Sequence, residues 1–307
     1  MPEQLVECVP NFSEGRDRTK FERIRDSIAG VPGVILLRSE MDPDHNRSVM
    51  TFAGPPDAVF EAAFQGVRAA VELIDLAAHR GVHPRIGAAD VVPFVPVDGV
   101  SLQDCVEIAH RFGAKVWTEL GVPVYFYEAA ARESGRARLE NVRRGGFENA
   151  ALPPDLGGPL LHPRAGACIV GARKFLIAYN INLATPDVGI AKAIANKIRT
   201  SSGGLPHVKA LGLHLSSRNL AQVSINLTDY EQTPLHVVFE RVREEAAALG
   251  VRIAGSELIG LIPKRALEAA AAHFLAIENF QSGHVFENRL HDLQANSVLP
   301  SHLSSDA

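Results

Sequence analysis

Apolar and polar positions change period several times along the chain, and the changes mark out the elements. Residues 4–11 (QLVECVPN) are short, apolar-rich and stopped by Pro10, the pattern of a strand. From about Asp17 to Ile28 a helix is predicted, with Phe21, Ile24 and Ile28 on one face and Gly30 and Pro32-Gly33 ending it. VILLRSE (34–40) and RSVMTFAG (47–54) read as two strands joined by the turn MDPDHN. Val59, Ala63, Val67, Val71 and Ile74 recur at helical spacing across 57–77, and VVPFVPV (91–97) is a β-rich run. The order is β-α-β-β-α-β.

The second half repeats it. CIVGARKFLIAYNINL (168–183) reads as mostly strand, and Thr185-Pro186 supplies an N-cap and first-turn proline for a helix to about Arg199. VKALGLHL (208–215) and LAQVSINLTD (220–229) are strands. Thr233-Pro234 starts a helix with Val238, Val242, Ala246 and Leu249 on one stripe, and VRIAGSEL (251–258) closes the set. Two such units in tandem predict an α+β chain of two ferredoxin-like subdomains, 1–175 and 176–307, with a frayed tail. Between the units lie a helix at about 101–118 opened by Ser101-x-x-Asp104, a strand at VPVYFY, and the long segment 128–166. The second part of that segment, ALPPDLGGPLLHPRAG, is too rich in Pro and Gly to be anything but loop. It reads either as a domain linker or as a ligand-binding loop between subdomains.

Composition narrows the class. The 307 residues are 46% hydrophobic and 21% charged, enough for a sizeable core, with a formal net charge of −4. That balance lacks the basic excess of a nucleic-acid binder, while a few local arginines suffice for an anionic small molecule. Cys8, Cys105 and Cys168 make neither a CxxC pair nor a disulfide framework, which points to a reducing compartment. With no signal-peptide pattern and no apolar run approaching a membrane span, a cytoplasmic protein without a membrane partner is expected.

The densest polar cluster is HRGVHPRIGAAD, His79 to Asp90, between a helix and a strand. His79 and His83 stand four apart, as zinc ligands do. Gly81 and Pro84 break the helix that would put both on one face, and the glutamate of HExxH is missing, so no metal is expected. Two readings stay open. His83, between Val82 and Pro84 and with Arg85 nearby for an anion, is placed for acid–base work. Alternatively, His79 and His83 cap the preceding helix, where imidazolium is favoured. A second cluster, Asp42 to Val49, gathers Asp42, His45, Asn46 and Arg47 in a strand–strand turn that partly explains its Asp and Asn. EGR (14–16) is a strand-to-helix connection whose amides can hold an anion, without a nucleotide motif. Arg173 and Lys174 are adjacent cations that fit a solvated strand edge as well as a site. No Ser, Cys or Thr sits in a nucleophile motif, which favours direct transfer over a covalent enzyme intermediate.

Taken together, VECVPNFSEG (6–15), DHNRSVMTFAG (44–54), HRGVHPRIGAADVVPF (79–94), VPVYFY (122–127), PDLGGPLLHPRAGA (154–167), GARKFLIAYNINL (171–183), NLAQVSINLTD (219–229) and GSELIGLIP (255–263) resemble the formiminotransferase family, in the family's order. The resemblance implies a folate cleft between two ferredoxin-like subdomains, a homodimer, and formimino transfer from N-formimino-L-glutamate to the co-substrate tetrahydrofolate. It places the catalytic histidine at His83 and the folate-contacting loop at Gly157, Gly158, Pro159, Leu160, Leu161, His162, Pro163, Arg164, Ala165 and Gly166. Both substrates carry carboxylates, so Arg47, Arg85, Arg164, Arg173 and Lys174 become expected anion holders, and Asp42, His45 and Asn46 expected partners of the pterin or formimino group. The chain is expected to hold the transferase half of the bifunctional relatives and no cyclodeaminase domain. Val82 stands where the family usually has Glu, and Arg38 where bacterial relatives often carry Asp. These departures keep alternatives open: 5-formyl-tetrahydrofolate with glutamate as acceptor, a folate binder with little turnover, or a hydrolase.

Overall fold

The first strand position is split in two. β1 (Leu5–Cys8) and β2 (Asn11–Phe12) both lie between the same neighbours, and the break falls at Val9-Pro10, where proline has no N–H for the ladder. The computed structural model describes residues 4–43, 45–81, 84–215 and 218–297. Their contacts divide the chain into two units, Met1–Lys174 and Phe175–Ala307.

In the first unit α1 (Arg18–Ala29) is capped by Asp17, whose carboxylate accepts the Thr19 and Lys20 amides, and it buries Phe21, Ile24 and Ile28. β3 (Ile35–Asp42) and β4 (Arg47–Gly54) form an antiparallel pair. α2 (Pro56–Leu73) stops short of the expected residue 77, because Ile74 turns extended and the Leu76 amide bonds the Arg164 carbonyl at 2.8 Å. β5 (Ala89–Asp98) follows, then α3 (Leu102–Leu120), opened by the Ser101/Asp104 capping box and closed by left-handed Gly121. β6 (Val124–Glu128), the short α4 (Leu139–Val142) and β7 (Cys168–Ala172) complete the unit. The strands run β3-β4-β1/β2-β5-β7-β6, with β5, β7 and β6 parallel and the other pairs antiparallel.

Both faces of this sheet are covered. Helices α1, α2 and α3 bury Val6, Cys8, Phe52, Phe94 and Val170 on one side. On the other, Val91, Tyr125, Tyr127 and Ile169 pack with Val142, Leu139, Leu152 and Leu161 from the 128–166 segment. That segment is therefore a cover and not a spacer. The Tyr125 hydroxyl donates to the Leu152 carbonyl at 2.6 Å, and buried Arg136 bonds the Pro153 carbonyl and pairs with Asp155 at 3.1 Å.

The apolar run expected as one strand over 168–183 divides between the units: β7 joins the first sheet and β8 (Ile177–Leu183) the second. Nothing between them carries turn chemistry. The difference lies in burial, with all five β7 residues buried and the first residues of β8 alternating. α5 (Val188–Ile198) is capped by Asp187 and not by Thr185. β9 (Val208–Leu215), β10 (Leu220–Leu227), α6 (Leu235–Ala248) and β11 (Ile253–Ile259) follow. Thr233 does not cap α6; its hydroxyl donates to the Pro206 carbonyl at 2.6 Å. The sheet order is β11-β8-β10-β9, each pair antiparallel, and α5 and α6 close one face over Ile181, Val223 and Ile225. Two more helices, α7 (Lys264–Phe274) and α8 (Phe286–Ser297), extend beyond the six expected elements, and α7 packs on α6. No helix among the described residues is long and apolar enough to cross a membrane.

Candidate active site

The strongest polar arrangement grows from an irregularity in the first sheet. β2 pairs Asn11 with Val91 but Phe12 with Ala89, so Asp90 is the extra residue of a bulge. Its side chain has no solvent exposure. One carboxylate oxygen accepts the Ile86 and Gly87 amides at 2.8 and 3.3 Å, and the other accepts Arg47 Nη1 at 2.8 Å and Arg143 Nη2 at 2.6 Å. Burial alone would raise this carboxyl; the Arg143 and Arg47 charges and the Ile86 amide overcome it and bring the pKa down to about 2. Arg47 also directs Nε and Nη2 to the side-chain Oδ1 of Asn11 at 3.0 and 2.8 Å. Its guanidinium is thus built into the fold, and burial, opposed by Asp90, lowers its pKa.

Beside Arg47 the β3–β4 turn is tied to two other loops. Asn46 sits at φ +50, accepts the Gly15 amide at 3.0 Å and donates to the Arg80 carbonyl at 2.9 Å. A Cβ on Gly15 would lie 2.3 Å from the Arg47 amide nitrogen, so only glycine lets these loops meet. The EGR amides are already engaged: Gly15 by Asn46, and Arg16, like the next amide at Asp17, by Glu14. His45 Nδ1 lies 2.5 Å from Asp42 Oδ2, and the His45 amide donates to Asp42 Oδ1.

His79 is buried, and its Nε2 faces the Asn46 carbonyl at 2.9 Å, which requires the proton on Nε2. Burial, helped by the Arg85 charge and opposed by the Asn46 bond, lowers its pKa. Its Nδ1 is left as a buried acceptor without a hydrogen-bond partner among the described residues. Arg85 forks onto Glu148 (2.8 Å to Oε1) and reaches the His79 carbonyl at 3.2 Å. These residues line a cleft of about 500 Å³ with Leu76, Ala77, Arg80, Gly81 and Phe147. Val82, His83 and Asp44 lie outside the described residues.

The 157–166 loop is pinned to the same region at its C-terminal end. His162 and Gly166 exchange backbone hydrogen bonds, the Ala88 amide donates to Ala165, and the Ala167 amide donates to Ile86. His162 Nδ1 accepts the Arg164 and Ala165 amides. Gly166, at φ +68, has no room for a Cβ, which would meet the Ile86 carbonyl oxygen at 2.0 Å. Arg164 pairs with Asp75 at 3.3 Å, and Leu160 is 81% exposed between the glycine-proline start of the loop and Leu161.

Arg173 and Lys174 fall between β7 and β8. The Arg173 amide donates to Phe94, four residues along β5 from Asp90 and so about 13 Å away. The Arg173 charge opposes the burial that raises Glu7 to about 7 and the burial that raises Tyr127. Arg38 pairs with Glu40 at 2.6 Å on β3. The structure thus joins Arg47, the loop after His83 and the Asn46 turn, and places Arg173 and Lys174 elsewhere. Asp90 as a hub, its partner Arg143, the Arg47 partner Asn11, and Glu148 and Glu7 were not singled out by the sequence pattern. Only Asp90 left a signal, as the last polar residue before a β-run.

Comparison with known proteins adds sequence relationships. Residues 5–173 match the family described as the formiminotransferase domain, N-terminal subdomain, and residues 178–293 the family described as the formiminotransferase domain. The chain is 48% identical over 295 residues to a glutamate formimidoyltransferase of Thermoplasma acidophilum, covering 93% of this chain and 97% of that one. It is 42% identical to a glutamate formimidoyltransferase of Streptococcus pyogenes serotype M1, covering 94% and 99%. Against the formimidoyltransferase-cyclodeaminase of Sus scrofa the identity is 46% over 90% of this chain, which spans 53% of that relative.

Proposed function

The chain belongs to the formiminotransferase family, and from that premise we propose that it transfers the formimino group of N-formimino-L-glutamate to tetrahydrofolate, giving 5-formimino-tetrahydrofolate and glutamate. The observation that carries this reading is 42–48% identity to two glutamate formimidoyltransferases over nearly their whole length. His83 serves as the acid–base residue. N5 of the reduced pterin attacks the formimino carbon, its proton passes to His83, and the same proton goes to the glutamate nitrogen as the carbon–nitrogen bond breaks. Tetrahydrofolate is a co-substrate, and the reaction asks for no metal. Folate is held along the Gly157–Gly166 loop, whose glycines allow close backbone approach. The carboxylates of the two substrates go to exposed cations, Arg164 among them, since Arg47 is committed to Asp90 and Asn11.

Each unit is a ferredoxin-like subdomain in this reading. The orders β5-β1/β2-β4-β3 and β11-β8-β10-β9 support it, because both place the first and third strands of a β-α-β-β-α-β unit centrally. The enzyme is further proposed to work as a cytoplasmic homodimer.

A spectrophotometric assay with formiminoglutamate and tetrahydrofolate, run on wild type and His83→Ala, tests the reaction and the role together. Turnover in wild type that falls by at least about 100-fold in His83→Ala, with folate binding retained, is the expected result. Glutamate released without folate would instead make the chain a hydrolase. Turnover with 5-formyl-tetrahydrofolate and glutamate alone would move the donor to that compound.

A further inference from the structure

An acid–base histidine needs a fixed loop, and one buried carboxylate takes a central part in holding the chain that follows it. Asp90 binds the amides of Ile86 and Gly87, which follow His83 by three and four residues. The Ile86 amide is thus an anchor three residues along the chain from the proposed acid–base residue. The second oxygen of Asp90 ties that anchor to Arg47, the first residue of β4 beside the Asp42–His45 turn, and to Arg143, at the end of α4 in the covering segment. Three stretches of chain therefore meet on one side chain. They are also joined by the Arg85–Glu148 ion pair, by the bonds of Asn46 to Arg80 and of His79 to Asn46, and by backbone contacts such as Ala167 to Ile86, but among the described residues only Asp90 touches all three.

We propose that Asp90 is a positioning residue for formimino transfer, holding the His83 loop in register with the Arg47 turn and the Arg143 segment. This rests on the reading of His83 as the acid–base residue. Asp90 touches no substrate and acts through the histidine. Charge works in the same direction as geometry. Asp90 with Arg47 and Arg143 carries a net charge of one positive, and an amide in its place raises that to two, a field that disfavours protonation of a histidine on the stretch it anchors.

The test is a double-mutant cycle on the full chain, with kcat, both KM values and the pH profile measured for Asp90→Asn, His83→Ala and the double variant. Asp90→Asn is expected to lower kcat by about 10- to 100-fold, to leave both KM values within about threefold, and to move the acidic limb of kcat to lower pH by roughly half a unit. In the His83→Ala background the same substitution should cost no more than about twofold of the residual rate, because its effect runs through the missing imidazole. Equal fold-losses in both backgrounds, or an unchanged kcat and pH limb in a folded Asp90→Asn, would overturn the assignment. Should Asp90→Asn fail to fold, Arg143→Met carries the same cycle. It removes one tie and leaves Asp90 with Arg47, so a several-fold kcat loss, silent in the His83→Ala background, is expected. Full activity in His83→Ala would overturn the reading of the histidine itself, and with it this one. An inactive His83→Ala beside an unaffected Arg143→Met and Asp90→Asn would sink the Asp90 role alone.

Discussion

The two units share an order of elements and differ in how they use the sheet face turned away from their helices. In the first, β7 and β6 widen the sheet and the 128–166 segment lies over it, bringing Arg136 and Arg143 inward against Asp155 and Asp90. In the second, the sheet stays at four strands, and that face carries a ladder of side chains across neighbouring strands: Gln222 to Asn182 at 2.8 Å, Asn182 to Glu257 at 2.8 Å, and Arg218 to Glu257. Gln222 and Asn182 face each other in register, Glu257 lies two residues beyond the Gly255 that faces Asn182, and Arg218 reaches it from the turn before β10, whereas Asp90 sits in a bulge and takes Arg143 from outside the strands. Added segments therefore do more than enlarge the first unit. Arg143 of the covering segment joins Arg47 of β4 on Asp90, while the second unit's ladder draws on its strands and the turn before β10.

The largest effect should come from breaking the packing of that added segment. Gly166→Ala places a methyl 2.0 Å from the Ile86 carbonyl at a φ of +68, and the clash and strain together should cost about 3–4 kcal/mol. Denaturant unfolding followed by hydrogen exchange should show the first unit's amides losing protection while those of β8 and β10 keep theirs. Equal loss in both units would show that they unfold as one body.

Much of this architecture was readable from period alone. The alternation in β8 and β10 and the spacing of Phe21, Ile24 and Ile28 follow directly from burial on one face. What escaped depends on contacts that local sequence does not encode. The end of α2 is set by the bond from Leu76 to Arg164, and the split of 168–183 by which sheet each half joins. KRALEAAAAHF has the composition of a helix, but the six-element pattern is complete at β11 and leaves it without a place. At the site, glycine and histidine motifs mark the loops. The roles of Asp90 and Arg143 arise from long-range pairing, and Arg143 sits in a run of charges that gives no hint which one turns inward.

Titration sharpens the contrast, because the two units should respond to pH with opposite sign. Glu7, on β1, is 6% exposed, makes no side-chain hydrogen bond among the described residues, and is raised to about 7 by burial that Arg173 only partly offsets. A carboxyl whose folded pKa lies above its unfolded value stabilises the fold below about 4.5 and loses that contribution as pH rises through about 7. Glu7→Gln, neutral throughout, should melt like wild type near pH 4.5 and be more stable at pH 8 by about 2–3 kcal/mol. A variant that gains nothing at pH 8 would mean that Glu7 finds a compensating partner when it ionises.

The second unit should weaken in the other direction, and by less. His236 on α6 stacks on His273 of α7, with ring centroids 4.3 Å apart and planes 17° apart. Its Nδ1 is buried without a hydrogen-bond partner among the described residues, and burial, then the His273 charge, holds its pKa below the usual range against the pull of Glu240. Glu240 is itself shared, reaching His273 Nε2 at 3.1 Å and Arg243 at 3.0 Å, so it cannot fully answer a second imidazolium. For a histidine with a depressed folded pKa, the neutral form carries the stability, which is present above the unfolded pKa and lost as pH falls through the folded one. His236→Phe keeps a flat ring in the stack and removes the charge, so the α6–α7 contact should lose its acid sensitivity. After allowance for solvent screening the difference between variant and wild type at pH 5 should be below about 1 kcal/mol, and it should vanish at pH 8. The readout is exchange protection of the α7 amides at the two pH values. Equal acid loss in both proteins would leave the stack as packing and nothing more.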